Sequence, residues 1–111
     1  MPVSNGTKHD AGKSRMDLLP FVAIESVGHV LRHGADEYGE DNWRLVPRWR
    51  RRYIAAALRH IAAHCAGGGL LGGLPRDHKS GLPHLAHAAA SVLFVLEMAL
   101  TSNGSRTERD E

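Results

Sequence analysis

The segment that most constrains the fold is the run from Leu85 to Leu100, which is apolar on nearly every face when it is placed on a helix. Such a helix must be surrounded by protein, because none of its faces suits water. His87, Ser91 and Glu97 interrupt the run, and it is too short and too polar to span a bilayer. We therefore predict that it is either the central helix of a small bundle or the seam of an oligomer.

Two further helices are predicted before this segment. Apolar residues recur at helical spacing near residues 20–38, where Pro20 suits a first helical turn, and again near 48–66. The third helix is predicted near 81–101, with Ser80 as its N-terminal cap. A glycine-rich loop separates the second helix from the third. No strand-like alternation competes with these helices, so we predict an all-α fold.

The length of 111 residues indicates a single domain. We predict that residues 1–101 form this domain, with residues 1–16 as an extended arm. Residues 102–111 contain no large apolar side chain and are predicted to be a disordered tail. Because three helices of this size cannot cover the apolar third helix completely, we expect a small helical bundle completed by oligomerisation, as a homo-dimer or larger homo-oligomer.

The composition excludes several classes of protein. The net charge is +2 and the arginines of 48–52 spread over several faces of a helix, so a nucleic-acid partner is not favoured. The single Cys65 excludes an internal disulfide and an all-cysteine metal site, and we expect it to be buried. The polar N-terminus does not resemble a signal peptide. We expect a cytoplasmic protein without a membrane partner.

The arm carries an ordered series of charges. Lys8, Lys13 and Arg15 alternate with Asp10 and Asp17. Lysine and arginine bind phosphate oxygens, and the aspartates could hold these cations in place. A solvated polar tail is the alternative, and composition alone favours it.

A second group of charges is acidic and lies where the first helix should end. Asp36, Glu37, Glu40 and Asp41 fall within six positions. Converging carboxylates suit Mg²⁺ or Mn²⁺, which prefer hard oxygen ligands. Acid at a helix C-terminus also opposes the helix dipole, so this placement is costly without a cation. An acidic helix end without a ligand is the alternative.

The histidines include three pairs at helical spacing. His29 and His33 are four residues apart, as are His60 and His64, and His84 and His87 are three apart. Both spacings can chelate a transition metal. Without a cysteine or a clear carboxylate partner, we favour hydrogen-bonded histidines in packed helices over metal ligands. His60, next to Arg59, could instead contact a phosphate or an attacking water.

Four segments together resemble a known family, and they occur in order along residues 6–98. They are GTKHDAGKSRMDLLP at 6–20, HGADEYGEDNWR at 33–44, RYIAAALRHIAAH at 52–64 and SGLPHLAHAAASVLFVLE at 80–97. The chain thus resembles the phage-associated dATP/dGTP diphosphohydrolase N-terminal family, which is similar to MazG-type nucleotide pyrophosphohydrolases. It departs from the family pattern before the last helix, where Gly68 and Lys79 stand in place of acidic residues.

The resemblance implies a MazG-like, all-α hydrolase that splits a purine (deoxy)nucleoside triphosphate into monophosphate and pyrophosphate with Mg²⁺ or Mn²⁺. It implies Glu37, Glu40 and Asp77 as metal ligands, and Glu37 and His60 as catalytic residues. The predicted substrate-binding residues are Lys8, Asp10, Lys13, Arg15, Asp17, Asn42, Trp43, Arg44, Arg59, His84 and His87. Two alternatives stay open: a nucleotide-binding or regulatory module with weakened catalysis, and a small helical nucleic-acid binder.

Overall fold

The computed structural model describes residues 5–67 and 73–101, and these residues form three helices. They are α1 (Phe21–Tyr38), α2 (Trp49–Gly67) and α3 (His84–Leu100). Short 3-10 turns at Met16–Leu18 and Asn42–Leu45 precede α1 and α2. Within the described residues the sole β feature is an isolated bridge between Arg76 and Pro83. The predicted all-α fold and the three predicted helices are confirmed.

Helix α3 is the central element, because it packs against both α1 and α2. Val27 and Val30 of α1 meet Ala86 and Ala90 of α3 in a small buried cluster. Alanine is short, so the two helices can approach closely without strain, and it is also the best helix former. The bundle is therefore held by a thin core rather than by large side chains.

One face of α3 is buried and the other is exposed within a single chain. Ala88 and Met98 are buried, whereas Val92, Leu96 and Leu100 are 47%, 51% and 77% exposed. Large apolar side chains are also exposed on the other two helices, among them Phe21, Val22 and Leu58. The central position of α3 follows the prediction, but one chain does not enclose it on most sides, and the homo-oligomer stays a prediction.

The start of α3 differs from the expectation. The helix begins at His84, after Pro83 in an extended conformation, and no side chain caps it. Ser80 is therefore not the N-terminal cap. Its hydroxyl accepts the backbone N–H of Leu82 at 3.1 Å and lies 2.7 Å from Nε2 of His87. The serine fixes the turn before the helix instead of the helix end.

The expectation that Cys65 is buried is wrong, since this side chain is exposed. Trp49, Tyr53, Ala57 and His60 follow one face of α2 at spacings of four, four and three, and that face meets α3. Cys65 falls outside this series, one residue beyond the position of His64. The predicted tail, 102–111, and Gly68 lie outside the described residues. No helix in the described ranges is long and apolar enough to cross a membrane.

Candidate functional site

A large open groove lies between the C-terminal half of α1, the first part of α2 and α3. We call it the central groove. Its volume of about 1490 Å³ is enough for a small-molecule ligand, since ordinary ligand pockets occupy roughly 300–1,000 Å³. Asn42 and Trp43 of the connecting turn, and His87 and Phe94 of α3, contribute to its lining.

The α1 side of the groove is acidic. Helix α1 ends at Tyr38. Gly39 follows it with a positive φ of 94°, which suits glycine, and donates its N–H to the carbonyl of Ala35 at 2.8 Å. The chain thus turns immediately after the helix and keeps the acidic residues together. On this side, four carboxylates line the groove: Asp36, Glu37, Glu40 and Asp41.

The α2 side of the groove is basic. Arg51, Arg52 and Arg59 line it, and spacings of seven and eight residues place Arg59 on the same helix face as the other two. Arg52 donates to the carbonyl of Pro47 at 3.3 Å. The groove therefore offers oxygen ligands for a cation on one side and guanidinium groups for an anion on the other.

Glu37 already has two protein neighbours. Its Oε1 lies 3.3 Å from Nζ of Lys79, and its Oε2 lies 3.8 Å from Nε2 of His33. The hydrogen bond to Glu37 raises the pKa of Lys79. This contact joins α1 to the segment before α3. Because the Lys79 side chain is 63% exposed, the pair contributes little stability and can exchange for another cation.

Asp77 organises that segment, residues 76–83, which we call the α3 turn. Its Oδ2 accepts the backbone N–H groups of Lys79 at 3.1 Å and Ser80 at 2.9 Å. The N–H of Ser80 is the largest cause of the lowered pKa of Asp77. Gly81, at φ 75°, donates its N–H to the Asp77 carbonyl at 2.7 Å. The carboxylate is consequently ionised and fixed in place.

Three imidazoles meet beside this turn, and we call His60, His84 and His87 the histidine cluster. The Nδ1 atoms of His60 and His84 are 3.0 Å apart, so one ring donates a hydrogen bond to the other. The rings of His60 and His87 stack with centroids 4.6 Å apart and planes 13° apart. Desolvation by burial is the main cause of a lowered pKa for both His60 and His87. These two rings are therefore neutral near pH 7.

The predicted metal ligands are not assembled as a set. Glu37, Glu40 and Asp77 all belong to or border the groove, but Lys79 lies against Glu37. Among the described residues, the three potential ligands whose donor atoms all lie within 4.8 Å of one another are His60, Asp77 and His84. Sequence reasoning considered the histidine pairs by helical spacing alone. Sequence spacing does not show that Asp77 lies beside these histidines, because the fold of the α3 turn brings it there.

Trp43, one of the predicted substrate-binding residues, has protein neighbours. Its ring stacks on Phe94 with centroids 4.3 Å apart, and the guanidinium of Arg44 lies 4.2 Å from its centre. Its carbonyl accepts the hydroxyl of Tyr53 at 3.3 Å. Arg44 also lies 3.8 Å from a carboxylate oxygen of Glu97. A base could reach Trp43 only where Arg44 moves, and the predicted roles of both residues stay predictions.

The arm lies apart from the groove. Within the described part of the chain, Lys8, Asp10, Lys13, Arg15 and Asp17 are all exposed, and the groove lining includes none of them. Arg15 and Asp17 form a two-bond pair at 2.9 and 2.8 Å, as the alternation of charges suggested. The structure thus brings Glu37, Asn42, Arg59 and His60 together but leaves the arm cations outside.

Comparison with known proteins points to one family. The family described as dATP/dGTP diphosphohydrolase, N-terminal, matches residues 3–108. A dATP/dGTP diphosphohydrolase of Salmonella phage PMBT28 is 32% identical over 90 residues, which cover 81% of this chain and 28% of that protein. The chain thus spans less than a third of the length of this relative. No solved structure matches.

Proposed function

We propose, since this chain belongs to the dATP/dGTP diphosphohydrolase N-terminal family, that it hydrolyses dATP or dGTP to the monophosphate and pyrophosphate with the help of a divalent metal. The observation that carries the proposal is the two-sided charge of the central groove. Carboxylates of α1 and arginines of α2 line one cavity large enough for a nucleotide. A metal–triphosphate complex presents both charges, a cation and phosphate oxygens, and so complements both sides.

The residues fit Mg²⁺ or Mn²⁺ by the chemistry of their donors. Magnesium in nucleotide sites is commonly held by one or two carboxylates together with substrate phosphates. Glu37 and Glu40 would supply the carboxylates, with Asp77 as a third. When bound, the metal would polarise the phosphoryl oxygens and so favour attack by water. Lys79 would have to release Glu37, and the exposure of their ion pair makes this exchange inexpensive.

The other groups bind the substrate and move a proton. Neutral His60, whose pKa is lowered, would accept the proton of a water that attacks the α-phosphorus. The bond between that phosphorus and the bridging oxygen breaks, and pyrophosphate leaves. Arg59 would neutralise the developing charge on this leaving group. His84 and His87 hold the His60 ring in position.

The arm would add to these contacts only after folding over the groove. Lys8, Lys13 and Arg15 would then bind the β- and γ-phosphates, while Asp10 and Asp17 orient them. The existing Arg15–Asp17 pair supports this role, since it already holds one guanidinium in a fixed direction. Asn42, Trp43 and Arg44 would border the nucleoside.

A second candidate function is nucleotide binding without turnover. The contact between Lys79 and Glu37 favours it, because a lysine already neutralises a proposed metal ligand. In this case the phosphates would bind to the arginines of α2 while the carboxylates of α1 stay paired with protein groups. The nucleotide would act as a regulatory ligand.

Product analysis tests these functions. The purified chain is incubated with each dNTP and NTP, with Mg²⁺, with Mn²⁺ or with EDTA, and the products are identified by anion-exchange chromatography and ³¹P NMR. We expect dAMP or dGMP with pyrophosphate, and only when metal is present. Nucleotide binding without any product would replace the hydrolase with the binding module. Release of orthophosphate would refute cleavage at the α-phosphorus.

A further inference from the structure

Three side chains from separate parts of the sequence converge beside the central groove. His60 comes from the middle of α2, Asp77 from the α3 turn and His84 from the first position of α3. One donor atom from each lies within 4.8 Å of the donor atoms of the other two. All three residues are partly buried.

From this convergence we propose that His60, Asp77 and His84 bind one transition-metal ion, at a site distinct from the carboxylates of α1. Two imidazole nitrogens and one carboxylate oxygen are a donor set suited to Zn²⁺, Co²⁺ or Ni²⁺. Mg²⁺ prefers oxygen ligands alone and suits the end of α1 better. The chain thus separates a nitrogen-containing site from an all-oxygen site.

The spacing of the donors is close to that of a bound ion. A tetrahedral site with metal–nitrogen distances of about 2.0–2.1 Å places neighbouring donors roughly 3.3 Å apart. The Nδ1 atoms of His60 and His84 are 3.0 Å apart. The two nitrogen atoms therefore need to move apart only slightly to bind one ion. The proton now shared between the two nitrogens would leave or move to a ring Nε2, so that both lone pairs point to the metal.

The surrounding contacts hold the three ligands in this arrangement. Asp77 uses Oδ2 to accept two backbone N–H groups of the α3 turn, which fixes the direction of its carboxylate. The N–H of His84 donates to the carbonyl of Pro75 at 3.1 Å, which ties the start of α3 to the start of the turn. His87 stacks on the ring of His60. Such supporting contacts tune metal affinity by about 10–100-fold in known sites.

The lowered pKa of His60 is consistent with this role. Burial is its main cause, followed by the charges of His87 and His84. A metal ligand must be a neutral imidazole, so a site that disfavours protonation also favours the metal. The proposal does not depend on the hydrolase function, because it concerns binding of the metal alone. The two proposals share His60, Asp77 and His84. Glu37→Gln separates them, because it removes a carboxylate of the α1 side and leaves these three residues in place.

Cobalt absorption tests the site directly. The chain is freed of metal with EDTA, exchanged into buffer with excess Mg²⁺, and titrated with Co²⁺ while visible absorption is recorded. We expect one equivalent to bind with the intense d–d bands of four-coordinate cobalt, and Zn²⁺ to displace it. His84→Gln and His60→Gln should each weaken binding at least about 100-fold. Glu37→Gln should leave the titration unchanged, as should His29→Gln at an exposed position of α1.

Asp77→Asn is a second test of the site, which applies even if the histidine variants fail to fold. The amide oxygen of asparagine can still accept the backbone N–H groups of the turn, but its neutral side chain is a much poorer ligand. Circular dichroism should show unchanged helix content, and cobalt affinity should fall as in the histidine variants. The absence of a one-to-one complex with the unmodified chain would overturn the proposal. So would a titration by folded His84→Gln or Asp77→Asn that equals that of the unmodified chain.

Discussion

The arm and the α3 turn both carry family motifs, but the fold organises them very differently. In the described part of the arm, residues 5–16, the cations are exposed, and Arg15 pairs with its near neighbour Asp17. In the α3 turn, Asp77 fixes the backbone, Lys79 reaches α1 and Ser80 reaches His87. Asp77, Lys79 and Ser80 of the turn thus have partners in other parts of the fold, whereas the cations of the arm lie outside the groove.

The difference has a physical cause. Asp77 and Ser80 of the turn are partly buried and bonded on several sides, so their positions are fixed before any ligand arrives. Lysine and arginine each carry about 2 kcal/mol of rotamer entropy, which exposed arm residues lose only on binding. We infer that the turn positions the catalytic groups, and that the arm raises the affinity for the nucleotide. Variants that change the contacts of the turn should therefore alter turnover or stability, whereas variants in the arm should alter nucleotide affinity.

The largest effect is expected at the contact between the turn and α1. Glu37→Gln removes the proposed metal ligand and the partner of Lys79, so turnover of dATP or dGTP should fall at least about 100-fold. Steady-state rates at saturating Mg²⁺ check this expectation. Glu25→Gln makes the same change at an exposed position of α1 outside the groove and should retain activity. Equal rates for the Glu37 variant and the unmodified chain would exclude Glu37 as a catalytic residue.

The arm should affect affinity without affecting folding. Lys13→Ala with Arg15→Ala removes two charged contacts to phosphate, and each such hydrogen bond contributes about 1.5–3 kcal/mol. Isothermal titration with a non-hydrolysable dATP analogue should show at least about a hundredfold weaker Kd, with no change in melting temperature. Arg106→Ala with Arg109→Ala removes the same charge elsewhere and serves as the control. If both double variants bind alike, the arm has no specific role.

A smaller effect on stability is expected within the turn. Ser80→Ala removes the hydroxyl that joins Leu82 and His87, which should lower the free energy of unfolding by about 0.5–1.5 kcal/mol. Urea unfolding followed by circular dichroism measures this loss. Ser14→Ala, in the exposed arm, should change nothing. A Ser80 variant as stable as the unmodified chain would show that the turn is less tightly organised than its contacts indicate.

The weakest effect concerns pH. The pKa values of His60 and His87 lie below their ordinary 6.5 in the folded chain, so the unfolded chain binds protons more readily. Stability should therefore be constant above about pH 6.5 and should fall as the pH drops below it. The lowered pKa of Asp77 adds a further loss only below its ordinary value of 3.8. Melting temperatures between pH 8 and 4 should show the first decline, and His87→Gln should reduce it.

The sequence predicted the helices well because helical periodicity is a local property. The four acidic residues at the end of α1 and Arg59, which the sequence offered as candidates, line the groove, and their roles stay predictions. The errors arose where long-range contacts decide the outcome. Ser80 looked like a helix cap, but its hydroxyl bonds to His87 on the helix it precedes. The grouping of His60 with Asp77 depends on how the α3 turn folds back, which no spacing encodes.

The central claim is that a metal–nucleotide complex binds in the groove between the three helices. Amide chemical shifts in ¹H–¹⁵N NMR test it directly, during titration with α,β-methylene dATP and Mg²⁺. We expect the largest changes at Gly39, Asn42, Trp43, Asp77 and Lys79, and a matching set in the arm as it folds over the ligand. Changes confined to residues 21–29 of α1, which lie outside the groove lining, or to the arm alone, would contradict the groove as the nucleotide site.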